Sequence, residues 1–182
     1  MKYLISILTI IFLNSCEKSV KNENLELNGI LKAVTSDMKS LDNKEILIKD
    51  SLKQLVIYVP SKDEIEQKIP PPPPGKTTSI LRLLDFKKNY TQNDSLKLLT
   101  QNNYLLKKIV LDKSINPNIK IWNKNSKEKI FLSFSNPIYF EDNFAYIEVG
   151  FYEYAFSSGT AFLLKKENDV WKIIGKEPLW IT

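Results

Sequence analysis

The sequence predicts an α+β fold in which a curved, C-terminal antiparallel β-meander packs on an N-terminal helix. Two patterns carry this expectation. Leu27, Leu31, Val34, Met38 and Leu41 recur at spacings of four and three, which lines one face of a helix. From Ser135 to Thr182, SNPIYF, FAYIEVGFYEYAF, TAFLLKK and VWKIIGKEPLWIT are separated only by the turn sequences EDN, SSG and END. Connections this short leave antiparallel pairing as the only choice. A length of 182 residues suits one domain.

The first residues, MKYLISILTIIFLNSCEK, place Lys2 before an apolar run from Tyr3 to Leu13 and then turn polar, the layout of an export signal. The run is shorter than the ~18 apolar residues of a membrane span. Leu13, Asn14, Ser15 and Cys16 resemble the lipobox of bacterial lipoproteins, which implies a signal peptide over 1–15, a lipid on the Cys16 thiol and the membrane as a partner. Cys16 is the only cysteine in the chain. Residues 16–24 are polar and aperiodic and read as a lipidated tether, with the domain occupying 25–182.

Gly29 weakens the first turn of the amphipathic helix. LVIYV, Leu55 to Val59, reads as a buried strand closed by Pro60, with EILIK before it as a pairing candidate. Pro70 to Pro74 form a polyproline rod of roughly 15 Å at ~3.1 Å per residue, and the segment over 70–75 reads as a stiff connector. Gly75, Lys76 and Thr77 match the second half of a phosphate-binding loop. The four prolines before them have no N–H with which to build its nest, so a nucleotide site is rejected. SILRLLDF fits strand or helix, and Asp94 reads as the cap of a helix over SLKLLTQNNYLLKK. KIVLD reads as a short strand, and residues 116–129, which include IKIW, as a surface loop.

Histidine is absent and the one cysteine is assigned to lipid, which excludes Cys/His zinc sites, His-ligated haem, disulfides and His-based nucleophile activation. No metal or cofactor is expected. An enzyme on this chain draws its acid and base from Asp, Glu, Lys or Tyr. The net charge of +5 is mild, and Lys120, Lys124, Lys127 and Lys129 are interrupted by Glu128, so nucleic acid is not an expected partner.

Strand parity divides the longest strand. Ala145, Ile147, Val149 and Phe151 point one way, to the core, while Tyr146, Glu148, Tyr152 and Tyr154 point the other. Two readings are open for the tyrosine face. It lines a groove in which rings and a carboxylate hold a sugar or peptide, or it is covered by the helix, the proline rod or a second subunit. Glu153 has the opposite parity to Glu148, so the two cannot act as a pair on one substrate. Trp122, Trp171 and Trp180 read as core or rim residues, with ligand platforms as the alternative. Asp50-Ser51-Leu52 and Asp94-Ser95-Leu96 resemble the acceptor motif of bacteroidete protein O-glycosylation, which makes Ser51 and Ser95 candidate modification sites.

The run from Ser135 to Thr182, with N-P-I at its start, a D-N turn, a small-residue hairpin and V-W-K-I-I near its end, resembles small exported bacteroidete lipoproteins of uncharacterised function. Relatives of that kind often carry paired cysteines where this chain has Tyr154 to Gly159, so no role of those cysteines transfers. The ending is also similar to the curved sheets of nuclear-transport-factor-like and cystatin-like folds. The expected function is a non-enzymatic, lipid-anchored binding module of the cell envelope, at the outer membrane facing the periplasm, with an envelope protein, peptide or glycan as ligand. The alternatives are an envelope enzyme using Glu148 with Tyr152, and an inhibitor or immunity-type protein.

Overall fold

The computed structural model describes residues 22–38, 46–69, 77–102, 106–123, 125, 130–140 and 143–182. The leader, Cys16, Leu41 and the proline segment lie outside them. The fold is α+β, with a mostly antiparallel mixed sheet in the C-terminal half.

Helix α1 (residues 22–37) begins inside the segment read as a tether. Its Leu27, Ile30, Leu31 and Val34 are fully buried, and each such side chain stabilises the fold by ~1.5–3 kcal/mol. Gly29 has a packing reason: a Cβ there would stand 2.9 Å from Trp171 Cδ1, so only glycine lets the indole lie on the helix.

Seven strands form the main sheet: β1 (Ile46–Ile48), β4 (Ile119–Ile121), β5 (Ile130–Phe134), β6 (Ile138–Tyr139), β7 (Phe144–Glu153), β8 (Phe156–Glu167) and β9 (Val170–Ile181). Their order is β4-β1-β5-β7-β8-β9, with β6 also on β7. From β5 through β9 every pairing is antiparallel, whereas β1 runs parallel to both β4 and β5. EILIK therefore does not pair with LVIYV. The latter supplies β2 (Val56–Tyr58), which joins β3 (Thr77–Ser79) in a separate two-stranded parallel sheet. IKIW is likewise not a loop, because Ile119 and Ile121 pair with Ile46 and Ile48 and Ile119 is buried.

KIVLD does not form a strand. Lys108 makes an isolated bridge to Ser51, and beyond it the backbone bonds to asparagine side chains of α1. Asn24 Nδ2 donates to Val110 O at 2.8 Å, Val110 N donates to Asn24 Oδ1 at 3.2 Å, and Asp112 N donates to Asn28 Oδ1 at 2.9 Å. These amides take the place of a strand partner.

The hairpin between β7 and β8 turns at Tyr154 and Ala155 rather than at Ser157 to Gly159, which lie inside β8. Gly159 sits opposite Gly150 in the ladder, which places those small residues within the sheet. The next turn falls at Asn168 and Asp169, both with positive φ (50° and 60°), as a two-residue hairpin requires. Bulges at Gly159/Thr160 and Leu163/Leu164 bend the last two strands.

Both faces of the sheet are covered at its centre. On one, Ala145, Ile147, Val149, Phe162 and Leu164 pack with α1 and Trp171. On the other, Tyr146, Ala161 and Leu163 pack with α3 (Ile80–Lys87) and α4 (Gln92–Leu99). SILRLLDF is thus helical, capped by Ser79, and the cap of α4 is Thr91, with Asp94 three positions inside completing a capping box. A short helix, α2 (Lys62–Glu66), precedes the proline segment and begins with its own capping box at Ser61.

Candidate functional site

The four residues assigned by parity to one face of β7 occupy three environments. Tyr146 is fully buried beneath α3, its ring edge-on to Phe86 at 5.7 Å. Its hydroxyl donates to Glu148 Oε1 at 2.9 Å. Glu148 is 4% exposed, and its second oxygen, Oε2, has no hydrogen-bond partner; Lys53 Nζ stands 3.9 Å from it. Burial pushes the Glu148 carboxyl above its ordinary range, against the opposing pull of the Tyr146 hydrogen bond and of Lys53 and Arg82. Burial and the neighbouring carboxylate push the Tyr146 hydroxyl far up as well. The strand at Glu148 is fixed by Ser135, whose Oγ accepts from Glu148 N at 2.9 Å and whose N donates to Glu148 O at 2.8 Å.

Tyr152 is half-buried two rows along the same face, and Tyr154 is 77% exposed in the hairpin turn with φ of 51°. Glu148 and Tyr152 both border a crevice of about 10 Å³ with Lys53, Ser133, Gly150 and Trp180. That volume admits about one water molecule.

Beyond the crevice the face carries a row of rings. Trp122, just after β4, stacks on Phe131 of β5 with centroids 4.4 Å apart and planes at 26°. Phe131 stacks on Tyr152 at 5.0 Å and 13°, and Tyr152 meets Trp180 of β9 at 6.1 Å and 53°. All four are half-buried. Register explains the row, since Phe131 lies opposite Tyr152 and Gly159 opposite Trp180. Glycine makes the bed: a Cβ on Gly150 would come within 2.9 Å of the Tyr152 ring, and one on Gly159 would collide with the Trp180 indole. Parity placed Tyr152 on this face, but Trp122, Phe131 and Trp180 join it only through strand pairing.

Trp171 belongs elsewhere: it is 7% exposed against α1, and its Nε1 donates to Glu26 Oε2 at 2.9 Å. Ser51 is exposed beside a half-exposed Asp50, whereas Ser95 lies in α4 next to a fully buried Asp94. Among the described residues no group of three or more His, Cys, Asp or Glu side chains is placed to hold a metal ion. Among them, too, no helix is long and apolar enough to cross a membrane. The chain matches no family model, and neither the curated proteins nor the solved structures contain a significant match to it.

Proposed function

We propose that this protein is a lipid-anchored binding module of the cell envelope, held by Cys16 at the outer membrane facing the periplasm, and that it binds a protein or peptide partner on the aromatic strip of Trp122, Phe131, Tyr152 and Trp180. The single observation behind the binding surface is that strip: four half-buried rings in one row on a face whose other end is closed by α3 and α4. Aromatic side chains concentrate at the energetic centres of protein interfaces, and a contiguous apolar patch on a polar surface marks a contact site. The leader and the Leu13 to Cys16 pattern support the location.

A peptide partner suits the strip better than a sugar. Phe131 is stacked on both sides, by Trp122 and by Tyr152, so its faces are occupied and its edge is what remains. Sugars dock on open ring faces, whereas apolar side chains of an extended chain pack against ring edges. Turnover at Glu148 is the weaker reading, because its carboxyl opens on a crevice of about 10 Å³ that is too small for a substrate.

The test is photo-crosslinking in cells, with p-benzoyl-phenylalanine replacing Phe131 or Tyr152, and Lys172 on the outer edge of β9 as the control position. A discrete protein adduct at 131 and 152 and none at 172 is the expected result. Equal adducts at all three positions, or none at the strip, would overturn the proposal. Glycan-array binding that disappears in Tyr152→Ala would reassign the strip to a sugar.

A further inference from the structure

A second cavity, of about 420 Å³, lies at the start of α1 and shares no residue with the aromatic strip. That size falls in the range of small-molecule sites, roughly 300–1,000 Å³. Its wall includes Glu23 and Glu26 of α1, Lys97 of α4, Tyr139 of β6, and Lys166 and Trp171 of the last hairpin.

The charges in this wall are not all matched. Glu26 is satisfied: it accepts from Lys166 Nζ at 2.8 Å and from Trp171 Nε1 at 2.9 Å. Lys166 is satisfied too, with Asp169 at 3.4 Å as its second carboxylate. Glu23 is different. Among the described residues no cation stands within ion-pair distance of it, and its half-buried position raises its carboxyl above the ordinary range. The Tyr139 hydroxyl is buried without a hydrogen-bond partner, in the field of both glutamates. Its backbone is pinned, with Tyr139 N donating to Gln101 Oε1 at 2.7 Å. Lys97, also in the wall, is exposed and has no ion pair among the described residues. The wall therefore offers a carboxylate, Glu23, and an ammonium, Lys97, neither of which has an ion-pair partner among the described residues.

We propose that this cavity binds a small zwitterion bearing a primary ammonium group, with the ammonium on Glu23 and the anionic group on Lys97. The ammonium has three donors, enough to serve both oxygens of the carboxylate. An anionic group at Lys97 gives each of the two wall charges a counter-charge, which is what placing charge in a cavity requires. A free phosphoethanolamine-like molecule and the headgroup of a phosphatidylethanolamine present the same chemistry.

The full chain in detergent is titrated calorimetrically with O-phosphoethanolamine, ethylamine and ethyl phosphate. O-phosphoethanolamine is expected to bind tightest. Glu23→Gln is expected to weaken it at least about tenfold, and Lys97→Met to abolish its advantage over ethylamine. Both side chains reach solvent, so both variants are expected to melt with the parent. Glu153→Gln, on β7 and outside the cavity, is expected to bind as the parent does. Repeating the titration in nanodiscs separates the sources. A lower apparent affinity when phosphatidylethanolamine replaces phosphatidylcholine assigns the site to the headgroup, and an unchanged affinity assigns it to a soluble zwitterion. No binding of O-phosphoethanolamine, or binding indifferent to Glu23→Gln, would overturn the proposal.

Discussion

Glu148 and Lys87 are both buried charges, and they differ in the company they keep. Lys87 Nζ meets Asp94 Oδ2 at 2.5 Å with both side chains almost wholly buried, and the same oxygen accepts from Thr91 N at 2.8 Å. The pair ties α3 to the cap of α4, and the ammonium also lies 5.0 Å from the centre of the Phe144 ring. Lys87→Met is expected to cost ~3–5 kcal/mol in a urea melt, because it removes one partner of a buried ion pair; a loss below about 1 kcal/mol would show that the pair is wet. Glu148 is less well served: its Oε2 accepts no hydrogen bond, and Lys53 Nζ stands 3.9 Å away. Its carboxyl is raised above the unfolded value by burial, so in the window between the two pKa values the folded state holds a proton that the unfolded state has released. Its contribution is complete below the ordinary carboxylate range and is lost as pH rises through the raised value. Glu148→Gln has no proton to lose, so its melting temperature is expected to gain on the parent's as pH rises from 4 to 8. A difference independent of pH would place the carboxyl in contact with water. The sequence revealed the shared parity of Tyr146 and Glu148. It did not reveal that both are sealed, because the cover comes from α3 and α4, which are distant in the chain.

At the scale of elements, legibility followed the strength of the local pattern. Helix α1 and strands β7 to β9 announce themselves through sustained period and turn chemistry, and each is present. The failures share a cause: their partners are far away. Ile119 to Ile121 reads as a loop because Asn and Pro surround it, yet parallel pairing with β1 makes it a strand. KIVLD has the composition of a strand, but asparagines some 85 positions earlier capture its backbone (sequence separations of 84 and 86). Ser157 to Gly159 reads as a turn because glycine and serine are turn residues. Here Gly159 instead clears space for Trp180. Two of these segments contribute to the aromatic strip, the first through the adjoining Trp122 and the third through Gly159 beneath Trp180.

At the scale of the molecule, the sheet carries helices on both faces, and the tyrosine face of β7 is divided. Its Tyr146 end belongs to a second core with α3 and α4. Its Tyr152 end carries the ring row, which no helix among the described residues covers. Neither of the two arrangements open from sequence, a groove or a covered face, describes the whole of it, since parity assigns a side but not how far a cover extends along a strand. The proposed binding role depends on this division, and urea unfolding of Ile147→Ala and Tyr152→Ala, measured side by side, tests it most directly. Ile147 is fully buried between the sheet and α1, so its truncation is expected to cost ~2–5 kcal/mol through lost burial and a residual cavity. Tyr152→Ala is expected to cost clearly less, because a half-wet ring forfeits only part of its burial energy. Equal losses in the two variants would make the ring row a second core surface and contradict its role as a binding face.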